Sequence, residues 1–280
     1  MHLNFHFTPV QILWTLTFAA HLVLLVVLLG RDRVSRFKWF TVAIALVSLR
    51  LVASRLLYGR LPEITLGAIF IVLAVISMFA GLLVLVELAR NAFSKVGYRA
   101  WAVWTAALLA VGATVLATWG PWPALKTLKL DNLLGILGVL QLVAQKGGML
   151  VDVDTVALGV VIVAFGRRYG AGWRSHTQRI MIGLSTASIC QLGVQIIWQV
   201  IAKHSVPKSM DEYQHIVGIK DKLINGNSAI YLVVTIWWIV CLWMDEPGTA
   251  APAIDAPEAG PQAEAETSTH DATQGEVAEP

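Results

Sequence analysis

The chain has 280 residues, of which 56% are hydrophobic and 14% are charged, and its formal net charge is +3. Soluble domains carry about 25% charged residues, so this composition argues against a water-soluble globular fold. The basic residues flank apolar runs, which indicates anionic lipid headgroups and no nucleic acid as their partner.

Seven apolar runs follow one another along the chain, and each is long enough for an α-helix to cross a hydrocarbon core of ~30 Å. The runs cover residues 10–29, 39–58, 64–88, 101–119, 149–166, 180–202 and 227–244. We therefore predict an all-α, polytopic bundle of seven transmembrane helices over residues 1–246, with the lipid bilayer as its main partner.

The stretch 128–144 is moderately apolar and contains Asp131, Asn132 and Gln141. We interpret it as an outward extension of the fifth helix or as a surface helix. An eighth span is the alternative, and it would reverse the orientation of every helix that follows. The first interpretation is preferred because it agrees with the distribution of charges.

Basic residues set the predicted orientation. The loops 30–38, 89–100 and 167–179 hold eleven Lys and Arg residues, against eight in the alternate, longer loops. Because cytoplasmic loops are enriched in Lys and Arg, the N-terminus is predicted to lie outside and the C-terminus in the cytoplasm. The first apolar run is too long for a signal peptide, and its basic cluster follows it, so we predict no cleavable signal.

The segment 247–280 is acidic, with neither Lys nor Arg and no Phe, Trp or Tyr. Such a composition buries too little apolar surface to offset the entropy of ordering the chain. We predict a disordered cytoplasmic tail.

No catalytic or cofactor signature is present in the sequence. The last span has no Lys that could form a retinal Schiff base, and His21 is the only span histidine, so paired haem ligands are missing. Zinc-protease, nucleotide-loop and nucleophile-elbow motifs are also absent. We therefore predict a non-enzymatic protein without a cofactor.

Two further groups of residues could in principle form a metal site or a disulfide. His204 and His215 share a predicted outer loop with Asp211 and Glu212 and are interpreted as solvated residues, so no metal site is predicted. The two cysteines, at positions 190 and 241, are predicted to differ in depth by roughly 13 Å at 1.5 Å per residue. A disulfide needs Cα atoms within about 7 Å, so none is predicted.

Helical geometry predicts a polar layer at the middle of the membrane. Its candidate ligand-binding or cavity residues are His21, Arg50, Asp152, Gln191, Gln195 and Tyr231. A charge at this depth costs at least ~2.5–3.5 kcal/mol, so Arg50 is predicted to pair with a carboxylate inside the bundle. Asp152 is the preferred partner, because it shares a helix face with Gly148 and Thr155, whereas Asp154 points roughly opposite.

Polar stripes on several helices extend this layer. Ser188, Gln191 and Gln195 share one face of the sixth predicted helix, and Asn227 and Tyr231 share one face of the seventh. The stripes predict a cavity open to the outside. The alternative is interhelical hydrogen bonding that holds the bundle together at ~0.6–2 kcal/mol per contact.

Three segments carry a resemblance: RDRVSRFKWF, FGRRYGAGWRSHTQRIMIGLS and WWIVCLWMDEP. They resemble a group of uncharacterised bacterial seven-helix integral membrane proteins. This group is similar in layout to the seven-transmembrane sensor modules of bacterial signalling proteins, which bind in the outer half and signal through an attached cytoplasmic domain. The resemblance implies the bacterial cytoplasmic (inner) membrane. In this sequence the acidic segment, and no kinase, cyclase or phosphatase domain, follows the seventh helix.

These observations give three functional hypotheses. The first is a receptor-like sensor with an outward-facing polar cavity, acting through its inner loops on a cytoplasmic or membrane protein partner; the sequence does not define the ligand. The second is a small transporter or channel subunit that uses the Arg50–Asp152 pair. The third is a structural subunit of a larger membrane complex.

Overall fold

The computed structural model describes residues 8–93, 98–119, 122, 132–169, 175–205 and 209–245. These residues form seven α-helices and no strand. The helices are α1 (Pro9–Gly30), α2 (Lys38–Leu57), α3 (Glu63–Ala92), α4 (Tyr98–Thr118), α5 (Leu133–Tyr169), α6 (His176–His204) and α7 (Met210–Trp243). The predicted all-α class is confirmed, and each helix overlaps one predicted run. The predicted tail, 247–280, lies outside the described residues.

Six of the seven helices are long and apolar enough to cross a membrane, while α4 offers a shorter apolar stretch, Ala102–Thr118. Large apolar side chains point away from the bundle: Val26 is 66% exposed, Val160 64% and Val233 66%. In water these side chains would carry the full cost of apolar hydration, whereas lipid tails accommodate them. The chain therefore has the features of a multi-pass helical membrane protein.

The helices form a ring with one member outside it. In order, α1, α2, α3, α5, α6 and α7 each pack against the next, and α7 packs back against α1. Helix α4 packs on the outside of this ring, mainly against α5 and also against α3. The ring is what creates a central space.

The N-terminus of α2 is capped by a neighbouring helix. The side chain of Phe37, the N-cap residue of α2, makes no hydrogen bond to the first backbone amides of the helix. Instead the carboxylate of Glu87 on α3 accepts hydrogen bonds from the backbone amides of Trp39 (3.1 Å) and Phe40 (3.0 Å). These amides would otherwise be unpaired, so Glu87 both completes α2 and fixes it against α3.

Helix α5 is continuous, and it includes residues 133–144 of the segment whose assignment the sequence leaves open. Residues 133–144 belong to its first turns, so they extend the fifth helix and do not form a separate eighth span. Residues 128–131 lie outside the described part of the chain. A Cβ atom added at Gly147 would meet the sulfur of Met78, so glycine allows α3 to approach α5 closely there.

The predicted outer loop around His204 and His215 is wrong, because both residues are helical. His204 is the last residue of α6, and His215 lies within α7, which begins at Met210. The side chain of Ser209 accepts a hydrogen bond from the backbone amide of Glu212, which is a helix-start signal that the sequence carries. No group of metal-ligating residues occurs in the described ranges.

An apolar core fills the end of the bundle that carries the α1–α2 loop, residues 31–37, hereafter the basic end. Every helix of the ring contributes to it. Its fully buried members are Leu24, Leu28, Phe37, Phe40, Leu88, Phe93, Leu158, Ile162, Ile180, Met181, Trp238 and Leu242. Cys190 and Cys241 are free thiols.

Candidate functional site

The ring encloses a cavity built of two adjoining chambers. The deep chamber has a volume of about 290 Å³ and lies between α2, α3, α5, α6 and α7. The vestibule has a volume of about 630 Å³ and lies between α2, α3, α5 and α6. Asp152 and Gln191 line both chambers, so they mark the junction between them. Both volumes are on the scale of small-molecule sites, which run from about 300 to 1,000 Å³.

The vestibule is lined by polar side chains on three helices: Arg50, Gln141, Gln145, Asp152, Gln191 and Gln195. It lies away from the basic end, beside Gly67 in the second turn of α3. Among the described residues, no hydrogen bond or ion pair joins Arg50, Gln141, Gln145 or Gln195 to another side chain. One cation and several amide groups therefore remain free for water or a ligand.

The polar groups of the deep chamber, in contrast, are paired across helices. The hydroxyl of Ser188 on α6 donates to a carboxylate oxygen of Asp152 on α5 at 2.9 Å. The side-chain amide of Asn227 on α7 donates to the carbonyl oxygen of Gln191 on α6 at 2.6 Å. These pairs are interhelical hydrogen bonds of the kind predicted as the alternative to a cavity, and they leave the chamber with mainly apolar walls.

His21 on α1 and Tyr231 on α7 form a third interhelical pair, beside the deep chamber. His21 is fully buried, and its Nδ1 lies 2.6 Å from the carbonyl oxygen of Thr17. A carbonyl only accepts, so Nδ1 carries a proton, and in the neutral ring Nε2 accepts from the hydroxyl of Tyr231 at 3.1 Å. The bond joins α1 to α7 and orients the Tyr231 ring along the chamber wall.

Aromatic rings close the deep chamber toward the basic end. Trp238 packs edge-on against Phe40, with ring centroids 5.2 Å apart, and against Tyr231, with centroids 6.4 Å apart. Its indole N–H donates to the backbone carbonyl of Ile180 at 3.3 Å. Beyond Trp238 lies the apolar core, so the described lining of the cavity ends at this floor.

The predicted ion pair between Arg50 and Asp152 is not formed. Both residues line the vestibule, but among the described residues no ion pair joins them. Asp152 instead bonds to Ser188, and Arg50 is exposed. The hydrogen bond from Ser188 and the exposure of Arg50 to the vestibule take the place of the ion pair that was predicted from membrane depth.

Asp154 points away from Asp152, as predicted, yet it does not face lipid. It is only 3% exposed and lies among α3, α4 and α5, beside Leu108 and Leu158. A Cβ atom added at Gly112 on α4 would meet its carboxylate. Neither carboxylate oxygen has a hydrogen-bond partner among the described residues. The peripheral helix α4 covers this side of α5, which a single-helix wheel cannot reveal.

The sequence reasoning missed some residues that line the cavity, notably Gln145 and Phe40. Gln141, Gln145, Gly148, Asp152 and Thr155 form one stripe at helical spacing along α5. Because the fifth predicted run begins at residue 149, the stripe was not followed back to Gln145. A continuous helix would have placed Gln145 beside Asp152.

These features define the class: a multi-pass helical membrane protein with a central, partly polar cavity. The chain matches no protein-family model, and neither a curated protein nor a solved structure is significantly similar to it. The residues of this cavity are therefore the basis for inferring function.

Proposed function

We propose that the protein is a receptor-like membrane protein that binds a small molecule in the central cavity. The single observation that carries this proposal is the apolar floor of the cavity. Polar side chains line the vestibule, whereas the described lining of the deep chamber ends at Trp238, and an apolar core lies between it and the basic end. A cavity with one opening suits binding better than passage.

Helix α7 supplies a direct connection between the cavity and the basic end. It contributes Tyr231 and Trp238 to the deep chamber and is followed by Asp245. The carboxylate of Asp245 pairs with Arg33 at 3.0 Å and with Arg31 at 3.6 Å, both in the α1–α2 loop. Exposed ion pairs of this kind are worth about 0–1 kcal/mol, so they can break and re-form. A ligand that moves α7 would change this contact.

The proposal includes an orientation and a location. The vestibule would face the outside of a bacterial cytoplasmic membrane, with seven spans that include α4, and the basic end would face the cytoplasm. The excess of Lys and Arg in loops at the basic end supports this orientation. A cytoplasmic or membrane protein partner would receive the signal there, as the layout of bacterial seven-helix sensor modules suggests.

A transporter is the second candidate, favoured by a carboxylate, Asp152, at the junction of the two chambers. Transport requires the apolar floor at Trp238 to open, whereas binding does not. Purified protein in proteoliposomes should show no uptake of radiolabelled amino acids, sodium or protons above that of empty vesicles. Uptake that depends on Asp152 would favour the transporter over the receptor.

A pull-down in mild detergent tests the partner. The wild-type protein should recover a specific protein, and Arg90→Gln at the basic end should weaken recovery. Arg60→Gln, in the loop at the opposite end, is the matched control, because both arginines are exposed. Equal loss with both variants would contradict signalling through the basic end, and a large stable complex would favour the structural-subunit hypothesis.

A further inference from the structure

We infer that the cavity binds a zwitterion with an apolar side group, such as an α-amino acid with an aromatic side chain. In this arrangement the anionic group of the ligand contacts Arg50, its ammonium group contacts Asp152, and its apolar group enters the deep chamber. The inference deepens the proposed function and rests on it.

The vestibule holds one cation and one anion that do not neutralise each other. Arg50 and Asp152 line the same space without forming an ion pair. Each of these side chains therefore needs water or a ligand group of opposite charge. Guanidinium is a strong partner for a carboxylate, and a carboxylate accepts well from an ammonium group.

Both charged groups have unused hydrogen-bonding capacity within the described part of the chain. Ser188 donates to one oxygen of Asp152, and no hydrogen bond to the other oxygen occurs in the described part of the chain. Arg50 is exposed toward the vestibule and has no described partner. The amides of Gln145 and Gln195, which also line this chamber, can bond to the remaining polar atoms of a small ligand.

The deep chamber has the size and the apolar lining to hold an aromatic group. Its volume of about 290 Å³ is roughly twice that of an apolar cavity of ~150 Å³ that admits benzene. Phe40, Tyr231 and Trp238 supply aromatic walls, and the polar groups there are already paired. An aromatic group on the ligand fits this space, because edge-to-face ring contacts are favourable.

Calorimetric titration of the full chain in nanodiscs tests the inference with L-phenylalanine as the probe. Three analogues each lack one feature: 3-phenylpropionate has no ammonium group, 2-phenylethylamine has no carboxylate, and L-alanine has no ring. We expect L-phenylalanine to bind, and 3-phenylpropionate and 2-phenylethylamine to bind roughly ten- to a hundredfold more weakly, since each loses a hydrogen bond to a charged group. L-alanine should be weakened by roughly the same factor, because it buries no aromatic side group in the deep chamber.

Variants assign each ligand group to its residue. In Arg50→Gln, L-phenylalanine should bind no better than 2-phenylethylamine, because the carboxylate has lost its partner. In Asp152→Asn it should bind no better than 3-phenylpropionate. Arg55→Gln and Asp154→Asn are matched controls on the same two helices, and neither residue lines the two chambers, so both should bind like the wild type.

Several results would overturn the inference. These are no binding of L-phenylalanine, equal binding of an analogue that lacks one charge, or equal losses in the variants and their controls. The proposed function fails separately, if a cysteine introduced in the deep chamber, Ala187→Cys, does not react with a charged methanethiosulfonate from the outer side. A cavity that reacts from outside but binds none of these probes would retain the receptor and exclude this ligand class.

Discussion

The hydroxyl of Tyr231 on α7 lies 3.1 Å from Nε2 of the fully buried His21 on α1, beside the deep chamber. This hydrogen bond closes the ring of helices, because α1 and α7 are its first and last members. It also fixes the ring of Tyr231, which forms part of the cavity wall.

Tyr231→Phe should lower the free energy of unfolding by about 1–2 kcal/mol, because Nε2 of the buried His21 loses its donor. His21→Leu should also destabilise the protein. The double variant should be less destabilised than the sum of the two single variants, since no unpaired group remains. Thermal unfolding in detergent measures all three, and strictly additive losses would mean that the two residues do not interact.

Gly183→Ala should destabilise the protein by about 1–3 kcal/mol, because the site is closely packed. A Cβ atom there would meet the indole of Trp238 and approach Val234 to 3.0 Å. Gly193→Ala on the same helix is the matched control, since nothing lies within 4 Å of its Cβ position. That control should gain up to about 1 kcal/mol from its higher helix propensity. Equal effects at the two positions would contradict the close packing of α6 against Trp238.

Asp154→Leu should leave stability unchanged or raise it by about 1–3 kcal/mol, because it removes a buried polar group without a described partner. Asp152→Leu, on the same helix, should instead destabilise, because the hydroxyl of Ser188 loses its acceptor. Thermal unfolding compares the two variants. A large loss on Asp154→Leu would show that Asp154 has a partner, such as a bound cation.

Labelling with a membrane-impermeant maleimide tests the orientation. With both native cysteines replaced, Ser209→Cys should react in intact cells, and Ser35→Cys should react only after the membrane is opened. Both positions are exposed, so burial does not explain a difference. Reaction at position 35 but not 209 would reverse the orientation, and reaction at both would contradict the number of spans.

Much of the fold followed from the sequence, because membrane thickness sets the length of an apolar helix. The seven helices overlap the seven predicted runs, from α1 at Pro9–Gly30 to α7 at Met210–Trp243. The helix starts outside the apolar runs were harder to predict. Ser209 begins α7 in a polar stretch that hydropathy alone assigns to a loop.

The sequence predicted the membrane depth of the candidate site residues but not which side chains bond to one another. Counting 1.5 Å per residue placed Arg50 and Asp152 at a similar level, and both do line the vestibule. Depth does not specify azimuth around the ring, so the bond from Ser188 to Asp152 and the covering of Asp154 by α4 required three-dimensional packing.

Accessibility of the deep chamber is the most direct test of a cavity with one opening. Ala187 lines that chamber, and Ile189, two residues further along α6, is 56% exposed on the outside of the bundle. With Cys190 and Cys241 replaced, Ala187→Cys should react with a small charged methanethiosulfonate in intact cells, whereas Ile189→Cys in lipid should not, because reaction needs the thiolate. Reaction of Ala187→Cys only in inverted vesicles, or no reaction from either side, would contradict an outward-facing cavity.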